Sequence, residues 1–175
     1  MRFLGGPMRC LAAVLLVFAL AGCGSGDTPV AEPESHAMPP PTPVPHEGRT
    51  LACGPTDVRL PAMREGLTRR GSFARLESLT RRLEVSGLIW RENDEELYVG
   101  VVCGVRTAEQ FATLVARSTL TVYKGRPALR WNTRTGLRNF MWLERPGTAV
   151  YIGATPGLTG EIRRIAARVA LSPAP

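Results

Sequence analysis

An uninterrupted apolar run from Cys10 to Leu20, preceded by Arg2 and Arg9, stops at Ala21-Gly22-Cys23 and gives way to chain that cannot pack. At 11 residues the run is too short to cross a bilayer, which takes about 20 apolar residues. It fits the apolar core of a signal peptide, with small residues where the cut is made. A buried core helix would lead into more fold, whereas Gly24-Ser25-Gly26-Asp27 opens a stretch punctuated by Pro29, Pro33, Pro39, Pro40, Pro41, Pro43 and Pro45. Residues 24–50 therefore read as a disordered or polyproline-like spacer, about 80 Å long when extended at roughly 3.1 Å per residue. Folding is confined to residues 51–175, one domain of ordinary size.

Leu20-Ala21-Gly22-Cys23 resembles the lipobox of bacterial lipoproteins at all four positions. The resemblance implies that residues 1–22 are removed and that Cys23 carries a diacylglyceryl thioether as the first mature residue. Residues 23–50 then link the lipid to the domain. Two or more acyl chains anchor stably where one does not, which places the domain on the extracytoplasmic face of the cell membrane.

Charge divides along the same boundary. Residues 24–50 carry a net −3, while residues 51–175 hold 19 basic and 11 acidic side chains, a net +8. A basic domain beside an anionic envelope surface gains about 1 kcal/mol per nearby Arg; scattered solvated charge is the plainer reading. Nucleic acid is not an expected partner, because the compartment is wrong and no recognition motif is present.

With Cys10 in the leader and Cys23 lipidated, Cys53 and Cys103 are the remaining thiols, in a compartment where paired thiols oxidise. A Cys53–Cys103 disulfide is expected. The alternative, a reactive lone thiol, lacks an activating base: His36 and His46 both lie in the spacer. They have no companions for a metal site, and no cofactor is expected.

Within the domain, residues 51–60 suggest a strand, and residues 62–82 are ambiguous. Leu76, Leu79 and Leu83 follow helical spacing, but Phe73, Arg75 and Glu77 alternate as in a strand. Segments 83–91 and 96–103 are rich in β-branched and aromatic residues and flank Glu92-Asn93-Asp94-Glu95, a hairpin signal. The acidic tip, Glu96 included, has neither the spacing nor the glycine of a calcium loop. Thr107 and Gln110 form a capping box, and Phe111, Leu114 and Val115 then predict a helix over 108–118. Strands are expected at 120–124, 127–133, 138–144 and 149–153. In the third, Phe140 and Trp142 share one face and Met141 and Leu143 the other. Thr159 opens a final helix, about 160–170, with Ile162, Ile165, Ala166 and Val169 along one stripe. The sum is an α+β domain, an antiparallel sheet with two amphipathic helices packed on it.

From Thr121 onward the order is a Gly125-Arg126 hairpin, a strand with Trp142-Leu143-Glu144, a Pro146-Gly147 turn, Tyr151-Ile152-Gly153 and a helix ending Ile165-Ala166-Ala167-Arg168-Val169. This segment is similar to the C-terminal part of extracytoplasmic domains of the DUF4367 and sigma-factor-regulatory families. The resemblance implies a non-enzymatic sensor or binding module and transfers no catalytic residue. The residues agree: there is no histidine in the domain, no nucleophile elbow and no Ser-x-x-Lys. Its carboxylates do not form an obvious cleft pair, although Glu144 and Glu161 would matter if they faced other carboxylates. The expected function is a membrane-anchored, non-catalytic, protein-binding or regulatory domain. The alternative is a carrier or sensor of an apolar or lipid ligand, which requires an apolar cavity between sheet and helices.

Overall fold

The computed structural model describes residues 49–172; the leader, Cys23 and most of the spacer lie outside the described residues. In chain order the elements are β1 (Thr50–Cys53), β2 (Thr56–Arg59), β3 (Thr68–Phe73), β4 (Val85–Glu92), β5 (Glu95–Cys103), α1 (Ala108–Ala112), β6 (Thr119–Tyr123), β7 (Arg126–Asn132), β8 (Arg138–Arg145), β9 (Thr148–Ala154), α2 (Thr159–Arg168) and β10 (Ala170–Leu171). A single 3-10 turn, Pro156–Leu158, leads into α2.

Seven strands form one antiparallel sheet in the order β3-β4-β5-β9-β8-β7-β6, and β1-β2-β10 form a second, small sheet. Hairpins build most of this from local chemistry. Asn93, with φ of 53°, turns β4 into β5, and Lys124-Gly125, at φ of 49° and 74°, turns β6 into β7. Two consecutive positive φ values give the turn whose twist suits a two-residue hairpin. Pro146 presets the next turn, and Gly147 takes its φ of 95°, where a side chain would be strained. The β9 strand, with β5 and β8 as neighbours, is buried along its whole length.

The large sheet is covered on both faces, and β8 shows how. Phe140 and Trp142 enter one core with Val99, Val101, Ile152, the small-sheet residues Leu51 and Val58, the adjoining Leu60, and Ile162, Ile165 and Ala166 of α2. Met141 and Leu143 enter the other, with Val105, Phe111, Leu114, Val115, Trp131 and Tyr151. Burying a large aliphatic or aromatic side chain contributes about 1.5–3 kcal/mol, so both cores matter to a domain of this size.

Three expectations need correction. The helix expected over 108–118 is only the five-residue α1, because the carbonyls after Ala112 have other partners. The Thr113 hydroxyl bonds back to the Glu109 and Gln110 carbonyls, while Thr80 donates from its amide to Leu114 O at 2.8 Å and from its hydroxyl to Thr113 O at 3.0 Å. Phe111, Leu114 and Val115 are buried nonetheless. The second helix stops at Arg168: Val169 is extended, and the chain pairs with β2 as β10. Finally, residues 51–60 make a hairpin about Gly54, and the ambiguous 62–82 segment supplies the edge strand β3 followed by irregular chain.

Candidate functional site

Cys53 and Cys103 are joined as a disulfide, with Cα atoms 5.5 Å apart. The bond ties β1 of the small sheet to the end of β5 in the large one. It is a staple between layers, placed where 50 residues of chain separate the two cysteines.

The carboxylates that a catalytic reading would need are engaged in holding segments together. Glu144 accepts a hydrogen bond from Trp142 Nε1 and pairs with Arg126 at 2.8 Å. Glu161, 8% exposed, accepts from Arg64 Nε at 3.1 Å and from Arg164 Nη1 at 3.0 Å. Arg64 also clasps Glu92, with Nη1 at 2.7 Å, so one guanidinium connects the chain before β3, the β4–β5 hairpin and α2. That hydrogen bond and charge hold the Glu92 carboxyl below the usual carboxylate range. At the rest of the acidic tip, Glu95 accepts from the Gly157 amide at 3.0 Å, and Glu96 accepts from Arg91 and from the Tyr98 hydroxyl. Among the described residues no group of three or more His, Cys, Asp or Glu side chains is placed to hold a metal ion.

A buried polar unit lies on the face of the sheet that carries α1, and nothing local in the sequence announces it. The Tyr151 hydroxyl donates to Asn139 Oδ1 at 2.7 Å, and Asn139 Nδ2 donates to the carbonyls of Trp131 and Leu137. Gly153 makes room for the phenol: a Cβ there would stand 2.2 Å from the Tyr151 oxygen. Burial pushes the Tyr151 hydroxyl far up from its ordinary pKa. The Tyr151 hydroxyl and the Asn139 amide are satisfied within the protein, so this pair orders the core rather than meeting a ligand. The indole Nε1 of Trp131 is buried without a partner among the described residues.

Beside the same face, residues 74–83 outline an open groove of about 400 Å³. Its apolar members Leu76, Leu79 and Leu83 turn inward against the core, and Arg75, Glu77, Arg81 and Arg82 give the remaining wall its charge. The groove is formed by one irregular segment, not by a gap between sheet and helices, and it lacks the apolar lining a lipid carrier needs.

The two edges of the large sheet are built differently. An edge strand presents unpaired backbone donors and acceptors, and proteins blunt such edges with charge, bulges or cover. Edge β3 has both devices: Arg69 and Arg70 are exposed, and its pairing with β4 shifts between Arg69 and Gly71. Edge β6 reads Thr-Leu-Thr-Val-Tyr, has regular pairing with β7 and contains no charge. On it Leu120 is 57% and Val122 72% exposed, the large apolar side chains the domain leaves in solvent among its described residues. The two share a face, and the strand behind them buries Leu129 opposite Leu120. The sequence signal was present as an uncharged β-rich run, but which strand ends the sheet follows from long-range order alone.

No protein-family model, curated protein or solved structure matches the chain.

Proposed function

We propose that this protein is a membrane-anchored extracytoplasmic lipoprotein whose domain binds protein through the open β6 edge and carries out no catalysis. The anchor reading is supported by the Leu20–Cys23 motif behind its apolar run. The binding reading is supported by the contrast between a charged, bulged β3 and a regularly paired, uncharged β6 with Leu120 and Val122 exposed. Strand addition at such an edge supplies main-chain hydrogen bonds for affinity and alternate side chains for specificity. In this reading α2 and the small sheet cover one face of the large sheet, and α1 with the 74–83 segment covers the other, leaving the edge as the contact surface. The basic surface of the domain, apart from β6, assists by holding it near anionic envelope components.

The test is site-specific photo-crosslinking in intact cells, with a photoreactive residue placed at Val122 or, for comparison, at Arg69. Protein adducts at position 122 and none at 69 are expected. Equal labelling at both, or none at 122, contradicts a binding edge at β6.

A further inference from the structure

We propose that the occupant of the β6 edge is a second copy of this chain, paired antiparallel about a two-fold axis at Thr121; the inference rests on the edge being a protein-binding surface. Tyr123 and Arg126 flank the two-residue Lys124-Gly125 turn as a directly paired position. In a hairpin of this length the flanking pair exchanges both hydrogen bonds, and alternate residues do the same along the ladder. Thr119, Thr121 and Tyr123 therefore aim their backbone groups into β7, and Leu120 and Val122 aim theirs outward.

Outward-facing residues must pair with outward-facing residues, which puts a two-fold axis on a residue. An axis at either terminal residue, Thr119 or Tyr123, pairs only one of Leu120 and Val122 within the strand's reach, against Ser118 or Lys124. Three interior registers remain. An axis at Thr121 sets Leu120 of each copy against Val122 of the other, so four apolar side chains meet on one face. It also sets Lys124 against Ser118 and Arg117 against Gly125, so no two cations are opposed. An axis at Leu120 wastes Val122 on Ser118, and one at Val122 sets Lys124 against Leu120. The Thr121 register alone makes the strand complementary to itself, as an isologous contact requires.

The chain's own remaining segments do not fit the edge. Residues 24–48 contain seven prolines, each lacking the N–H a ladder needs, and their longest proline-free runs, 24–28 and 34–38, have no alternating apolar pattern. Head-to-tail pairing of β6 with β3 meets the bulge and the arginines of that edge.

The register is tested with a single cysteine. An antiparallel pair of this non-hydrogen-bonded type has Cα atoms about 4.5 Å apart, within disulfide range. Thr121→Cys in the full-length chain, extracted from membranes without reductant, is expected to run as a dimer that reductant dissolves. Thr119→Cys is expected to stay monomeric because it lies opposite Tyr123, and it controls for any linkage through Cys23. Adding Val122→Lys to Thr121→Cys is expected to remove the dimer and leave a folded monomer that still melts cooperatively, since position 122 is 72% exposed within a single copy. The melting temperature falls only by what association contributed. A monomeric Thr121→Cys, or equal dimer from both variants, overturns the proposal. Linkage of Thr121→Cys to a different protein also overturns it, while leaving the binding edge standing; photo-crosslinking that captures nothing at 122 removes both.

Discussion

The ring of Phe73 occupies the space a side chain at Gly87 would fill: a Cβ built on Gly87 would stand 2.1 Å from the ring's Cζ. The ring continues over Gly100 on the next strand, where a Cβ would meet Cζ at 2.8 Å, and reaches Tyr98 and Tyr151 edge-on at 5.9 and 6.0 Å. An aromatic side chain from the edge strand thus lies across two glycine-bearing strands and ties β3 to the middle of the sheet.

The two glycines differ in what surrounds them, and their alanine variants should differ accordingly. At Gly87 the obstruction is the half-buried Phe73 ring, which can swing aside. At Gly100 it includes the Ser86 carbonyl oxygen at 2.9 Å and the Gly87 Cα at 3.1 Å, and backbone cannot yield so easily. Overpacking typically costs about 1–3 kcal/mol. Gly100→Ala is expected at the upper end of that range and Gly87→Ala at the lower, measured by urea unfolding. A reversed order contradicts the account.

Removing the disulfide should destabilise without abolishing the fold's pattern. Closing a loop of this length contributes about 4 kcal/mol on the chain-entropy model. Cys53→Ala with Cys103→Ala is expected to lower the urea midpoint and to raise the slope, because the unfolded chain freed of its cross-link exposes more surface. Thiol titration of unreduced, unfolded parent protein is expected to find neither cysteine free.

Glu96 and Tyr98 make the domain sensitive at both ends of the pH scale. The Tyr98 hydroxyl, then Arg91, hold the Glu96 carboxyl below the usual carboxylate range, and burial followed by the bond to Glu96 pushes Tyr98 up to about 12. A lowered carboxylate stabilises the fold above its unfolded pKa, about 4.3, and that stability is lost as pH falls further. A raised phenol stabilises below its unfolded pKa, about 10, and that contribution is lost as pH climbs toward 12. Tyr98→Phe is expected to flatten the fall in melting temperature between about pH 10 and 12, and Glu96→Gln the fall below about pH 4. At neutral pH each variant loses a hydrogen bond contributing about 1 kcal/mol. Unchanged pH profiles contradict the pairing.

What the sequence disclosed and what it withheld divide by range. Asn93-Asp94 and Pro146-Gly147 carry their turns in the local chain, so the hairpins they close were legible, as were the two faces of Phe140-Met141-Trp142-Leu143. The hairpin expected at Gly125-Arg126 is present with its turn one residue earlier, at Lys124-Gly125, because Arg126 pairs with Tyr123. The disulfide was legible because only two candidate thiols remained in the domain. The expected 108–118 helix failed because Thr80, distant in the chain, takes the carbonyls of Thr113 and Leu114. Strand β3 was obscure because its burial rests on Phe73 and on glycines in other strands. The β6 edge was obscure for a related reason: nothing in Thr119–Tyr123 says that the sheet of the described residues ends there.

The proposed tether decides where the domain works, and the intact mass of the mature protein tests it most directly. Protein extracted from cell membranes is expected to begin at Cys23, with a mass exceeding that of the remaining chain by a diacylglyceryl group. A Cys23→Ser variant is expected to lose both the added mass and the membrane association. A mature protein that begins elsewhere, or one whose Cys23 is an unmodified thiol, would contradict the anchor and with it the placement of the domain outside the cell.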